Sequence, residues 1–212
     1  MRSFFVVSLI SSACRSRLFV LAAACLLFFA RCFVFSSLML GGSRSLPSSA
    51  FVAPFVAACV PSVQSFSVGC CVGADAHLLS LLPSSRVSVF AAFSPSGSGA
   101  CSLSAVSAVR SAVARGASVS WLAGGSLAVP LAARLVQRSF ACVRSVAPAG
   151  ACVFFAPGSG SLVVAAFAAS LSLPVFAFAP TAPAPLAGGA WVSSSLFSLP
   201  CFAWQPAQGS LF

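Results

Sequence analysis

The chain has 212 residues, enough for one domain of moderate size whose core folds without staples. Its hydrophobic fraction of 59% and charged fraction of 6% lie far from the roughly 45–50% and about 25% of ordinary soluble domains. Eleven Arg against one acid give a net charge of +10, and a single Asp and a single His exclude paired-carboxylate chemistry and starve a metal centre of ligands.

In chain order, residues 1–32 form an apolar leader. "LFVLAAACLLFFA" (18–30) lies between Arg15, Arg17 and Arg31. It is shorter than the about 20 apolar residues of a bilayer span, and it resembles the core of a signal peptide without the small-residue cleavage site. A signal or anchor and a leader without function are both open readings. From Phe33 short apolar runs alternate with longer segments of helical spacing, the βαβα signature of a parallel sheet. Strands are expected at 33–40, 63–68, 86–93, 117–123, 151–156 and 174–179. Helices are expected at 48–60, 74–82, 101–115, 130–146 and 159–172, with Pro54 confining the first turns of one and Pro130 as the first helical residue of another. The expected fold class is α/β, a Rossmann-like three-layer sandwich with a mostly parallel sheet over 33–180. Residues 181–212 form a tail with Trp, Pro and Gly but no period, expected to pack on the sheet or stay loose.

The hydrophobicity has a second source. The chain lacks Lys, Glu, Asn and Tyr and has one Ile and one Thr, residues whose codons carry adenine at the first or second position. A message that avoids adenine writes Arg, Ser, Ala, Val, Phe, Leu, Cys, Gly and Pro instead. The apolar runs after residue 33 are cut by Gly, Pro and Ser clusters, as in a soluble α/β protein. The ten Cys contain no C-x-x-C, so free and mostly buried thiols in a reducing compartment are expected, with no metal and no cofactor.

Three strands end in glycine-bearing loops: Gly41-Gly42-Ser43-Arg44, Gly69 through Gly73 to Asp75, and Gly158-Ser159-Gly160-Ser161. In a parallel α/β sheet such loops lie at the carboxyl ends of the strands, where ligands bind. Their amides and helix N-termini suit a phosphate. Arg44 and Arg138 are the best-placed anion partners, Arg138 as a clamp; Arg110, Arg134 and Arg144 read as solvated surface. Asp75 is either an acid–base partner of His77, a hydrogen-bond acceptor for a ribose hydroxyl, or a helix N-terminal acid.

At these same loops the chain resembles the DNA-processing proteins DprA/Smf and the wider SLOG group of Rossmann-like domains. "LMLGGSRSLP" looks like that family's first strand and G-S-R loop. "SVGCCVGADAHLLS" is similar to its S-G-x-x-x-G-I-D-x-x-A-H segment, and "SGSLVVAAFAASLSLPVFAF" to its S-G-S-L-x-T-A-x-x-A segment and following strand. The resemblance covers roughly 33–180 and implies binding of a nucleotide or of single-stranded nucleic acid in the cytoplasm. The implied pocket is Gly42, Ser43, Arg44, Gly69, Gly73, Asp75, Arg138, Gly158, Ser159, Gly160 and Ser161. A homo-oligomer fits this reading and a membrane partner does not. A sibling group, the cytokinin-activating phosphoribohydrolases, carries a catalytic Glu just after its glycine loop where this chain has Val163 and Val164, so binding is expected rather than catalysis. Three other readings remain: a membrane-anchored or secreted hydrophobic protein, a phosphoribohydrolase-like SLOG enzyme, and an unexpressed frame with coincidental motifs.

Overall fold

A computed structural model describes residues 35–46, 48 and 51–207; the apolar leader lies outside them. Six strands, β1 (Ser37–Gly42), β2 (Ser65–Val68), β3 (Val87–Phe90), β4 (Ser118–Ser120), β5 (Ala151–Phe155) and β6 (Val175–Phe178), are connected largely through helices. The helices are α1 (Val52–Cys59), α2 (Ala74–Leu81), α3 (Leu103–Ala114), α4 (Leu131–Val146) and α5 (Ser159–Ser170). A hairpin of β7 (Gly189–Leu196) and β8 (Leu199–Pro206) follows. The strand order is β4-β3-β2-β1-β5-β6-β8-β7, parallel from β4 to β6 and antiparallel thereafter. The protein is therefore α/β, with the Rossmann-like three-layer architecture and mostly parallel sheet that the alternating pattern predicts.

The period of two along each strand explains the layers, because successive side chains leave opposite faces of a sheet. Leu38 and Leu40 of β1, Val153 and Phe155 of β5, and Phe176 and Phe178 of β6 join one core cluster with Phe55 of α1, Leu78 of α2 and Val109 of α3. Met39, Cys152, Phe154 and Val175 point the other way and meet Cys142, Val143 and Val146 of α4 and Val164, Ala165 and Ala168 of α5. Both faces are covered, so the central strands read as continuous apolar runs. Phe55 organises the first layer, its ring lying edge-on to Phe155 at 5.3 Å, Phe178 at 5.2 Å and Phe197 at 5.7 Å.

Local signals set several boundaries. Ser102 caps α3, its Oγ accepting the Ala105 amide at 3.1 Å. Pro54 falls in the first turn of α1, where its missing N–H has no intrahelical partner to lose. Pro130 sits one residue earlier than expected: its ψ of 141° is extended, making it the residue before the helix rather than the first within it. The first helix begins at Val52, not at residue 48.

The tail needs the largest revision. Within the described residues it is ordered as an antiparallel hairpin that extends the sheet, with β8 pairing with β6 through Phe176↔Ala203 and Ala177↔Phe202. Phe197 and Ser198 make the two-residue turn with φ of 51° and 63°, the positive pair that a tight hairpin turn of matching twist requires. No helix among the described residues is long and apolar enough to cross a membrane.

Candidate functional site

The chain builds outward from β1 to β4 and then returns to β5 on the other side of β1. Helices therefore leave β1 and β5 on opposite faces, and a crevice opens at the carboxyl ends of these two strands. Gly42 pairs with Phe155 there, so it closes β1 instead of opening the loop. Three hydrogen bonds tie the glycine loops together. The Ser43 amide donates to Phe155 O at 2.9 Å, the Ala74 amide to Ser43 O at 3.0 Å, and Ser161 Oγ to Gly42 O at 3.1 Å.

Between these loops and α4 lies a cleft of about 390 Å³. Gly42, Ser43 and Arg44 enter its wall from the first loop, Asp75 from the second, Gly158, Ser159, Gly160 and Ser161 from the third, and Arg138 from α4. Gly69 and Gly73 do not line it, and each is glycine for an internal reason. Gly73 has φ +72°, and a Cβ there would strike the carbonyls of Ser43 and Arg44. At Gly69 a Cβ would occupy the place of the Arg138 guanidinium and the Asp75 carboxylate. Both are framework positions rather than ligand contacts.

Arg138 is also not the free clamp that its sequence position suggests. It is 5% exposed, and its Nη2 donates to Asp75 Oδ2 at 3.0 Å and to Cys71 Sγ at 3.1 Å. Asp75, 4% exposed, also accepts the Cys71 amide at 2.9 Å. Burial pushes the Asp75 carboxyl up to about 6, against the pull of Arg138. Burial opposes the charge on Arg138, yet Asp75 and the surrounding thiols hold it protonated. The Asp75–His77 pair does not form: two residues apart on α2 they face different directions, and Asp75 is turned to Arg138.

Arg134 is a second correction. It is 4% exposed, not solvated, and its guanidinium donates to Val129 O, Ala92 O and Gly99 O at 3.0, 2.5 and 3.1 Å. Arg110 donates to Pro95 O and Ser96 O, while Arg144 lies over the Phe167 ring at 5.0 Å. Asp75 is the chain's one acid and Arg138 holds it, so among the other described arginines Arg86, Arg110, Arg115 and Arg134 donate to backbone carbonyls and Arg144 lies over an aromatic face.

Two features make the cleft electropositive. Gly158 precedes α5 without a side-chain cap, so the first-turn amides at Ser159, Gly160 and Ser161 face the crevice with the positive end of a helix dipole. Arg44 is exposed in the opposite wall. Residue reasoning missed Cys71, which also lines the cleft; its signal was its place in the Gly69–Gly73 loop, four residues before Asp75. The described cysteines are all free, and all but Cys101 are buried. Comparison of the chain with family models, with curated proteins and with solved structures finds no match.

Proposed function

We propose that this protein is a nucleotide- or single-stranded-nucleic-acid-binding module of the SLOG and DprA/Smf type, acting in the cytoplasm and binding its ligand without turning it over. The observation that carries this reading is the meeting of the Gly42–Arg44 loop with the uncapped start of α5 at the reversal of strand order. In the proposed complex a phosphate sits on the Ser159–Ser161 amides, and Arg44 supplies the fork of donors. Arg138 acts from behind, as the counter-ion that holds Asp75 and the second loop in place. The cleft volume of about 390 Å³ falls in the usual range for small ligands, about 300–1,000 Å³.

Two measurements test this. Thermal stabilisation by a mononucleotide should appear in the native protein and weaken at least about tenfold in affinity in Arg44→Ala, from the loss of a charge-assisted bond. Filter binding of a single-stranded oligonucleotide at about 50 and about 200 mM salt separates the two ligands, because contacts to several phosphates weaken steeply across that range. Stabilisation by nucleotide without salt-dependent strand binding would remove the nucleic-acid version. Neither effect, or an Arg44→Ala protein that binds like the native one, would remove the assignment of the cleft.

A further inference from the structure

Behind the phosphate loops lies a cluster that binding alone does not use. Cys71 Sγ takes a hydrogen bond from the buried Arg138 guanidinium at 3.1 Å, on the same Nη2 that holds Asp75, and the sulfur's residue lines the cleft. Arg138 Nε is buried and has no hydrogen-bond partner among the described residues. A fixed cation with a sulfur on one nitrogen and an unused donor on another is suited to a thiolate and to an oxygen placed on that thiolate.

We propose that Cys71 is a hydroperoxide-reactive thiolate, entered through the cleft and stabilised by Arg138, with Cys101 as its resolving thiol. The groups around it agree. Hydrogen bonds from the Cys101 and Cys70 thiols, together with Arg138, hold the Cys71 thiol well below the ordinary range despite its burial. Cys70 and Cys101 are pushed the other way, each chiefly through its hydrogen bond with Cys71. Asp75 faces the same sulfur, and Cys142 lies against Arg138 from α4.

The Cys71 thiolate attacks the terminal oxygen of a hydroperoxide ROOH; an S–O bond forms to give the sulfenic acid S–OH, the O–O bond breaks, and RO⁻ takes a proton from water in the cleft and leaves as ROH. Sulfur loses two electrons and the peroxide gains them. The oxygen of the resulting sulfenic acid, Cys71 S–OH, offers Arg138 Nε an acceptor. The Cys101 sulfur then attacks the Cys71 sulfur; an S–S bond forms, the S–O bond breaks, and hydroxide departs with the Cys101 proton as water.

Peptide mapping tests this directly, because trypsin cleaves after Arg44, Arg86 and Arg110 and separates Cys71 from Cys101. With near-stoichiometric hydrogen peroxide the full-length protein should join peptides 45–86 and 87–110 by a disulfide assigned to Cys71 and Cys101. Cys101→Ser should abolish the joined product and yield a dimedone adduct at Cys71. At about pH 5.5, where ordinary thiols are protonated, iodoacetamide should label Cys71 at least about tenfold faster than Cys59 or Cys70. A joined product that survives Cys71→Ser, equal labelling of the three thiols, or no adduct in Cys101→Ser would each overturn the proposal. Both serine variants keep the Arg138–Asp75 pair, so a folded protein is expected in each case.

Discussion

Asp75 shows what a single acid does in a chain of this composition. Its pKa is raised from the ordinary 3.8 to about 6 by burial, so the folded state holds the proton more tightly than the unfolded chain. A raised carboxyl contributes stability that is fully present below about pH 4 and is lost as pH rises through about 6, on the order of 3 kcal/mol. The Asp75 contribution reads out as a difference, because the lowered Cys71 thiol acts with the opposite sign: in chemical denaturation between pH 4 and 7, the stability of the native protein relative to Asp75→Asn should decline as pH rises. Selective carbon-13 labelling of Asp gives one side-chain carboxyl signal, and its midpoint should lie near 6; a midpoint in the ordinary range would show that Arg138 outweighs desolvation. The same scale decides Gly73. Its positive φ and the carbonyls of Ser43 and Arg44 leave no room for a methyl, so Gly73→Ala should lower stability by about 1–2 kcal/mol or more.

Among the elements, β1 starts four residues and ends two residues later than expected, while β5 and α5 follow from their patterns within two residues, because apolar strands and glycine punctuation survive even a biased composition. The hairpin did not, and the reason is chemical. Its two-residue turn is ordinarily written Asn-Gly or Asp-Gly, yet this chain lacks Asn and has one Asp, and it writes the turn Phe-Ser. Ser198, exposed with φ of 63°, should be replaceable by Gly with a gain of about 1 kcal/mol, measurable by denaturant midpoint at constant m-value. Phe197 should not tolerate the same change, since its ring contacts Phe55. Phe55 meets three other rings and is fully buried, and Phe55→Ala should cost about 3–5 kcal/mol.

For the whole molecule, the excess of Arg and the cleft make separable predictions. A net charge of +10 attracts polyanions wherever it sits, so retention on heparin should persist in Arg44→Ala, while nucleotide stabilisation should not. The hairpin belongs to the sheet in the same sense that the helices do. Truncation before Gly189 would strip β8 from β6, whose four residues are all buried, and expose a hydrophobic parallel strand as an edge. The truncated chain is expected to aggregate or unfold, as size-exclusion chromatography and circular dichroism would report.

The sequence by itself determined the alternation of strands and helices, the parallel sheet, and the three glycine-bearing loops that follow its strands, because periodicity and glycine placement are local properties of the chain. It also determined that one acid would have to serve eleven cations. Which cation takes that acid was decided by the tertiary structure: α4 crosses behind the second loop and places Arg138 against Asp75 and Cys71, leaving Arg44 exposed in the cleft. The roles of Gly69 and Gly73 changed for the same reason. Their need for a missing side chain comes from groups distant in sequence, the Arg138 guanidinium and the Ser43–Arg44 carbonyls, whose approach only folding brings about.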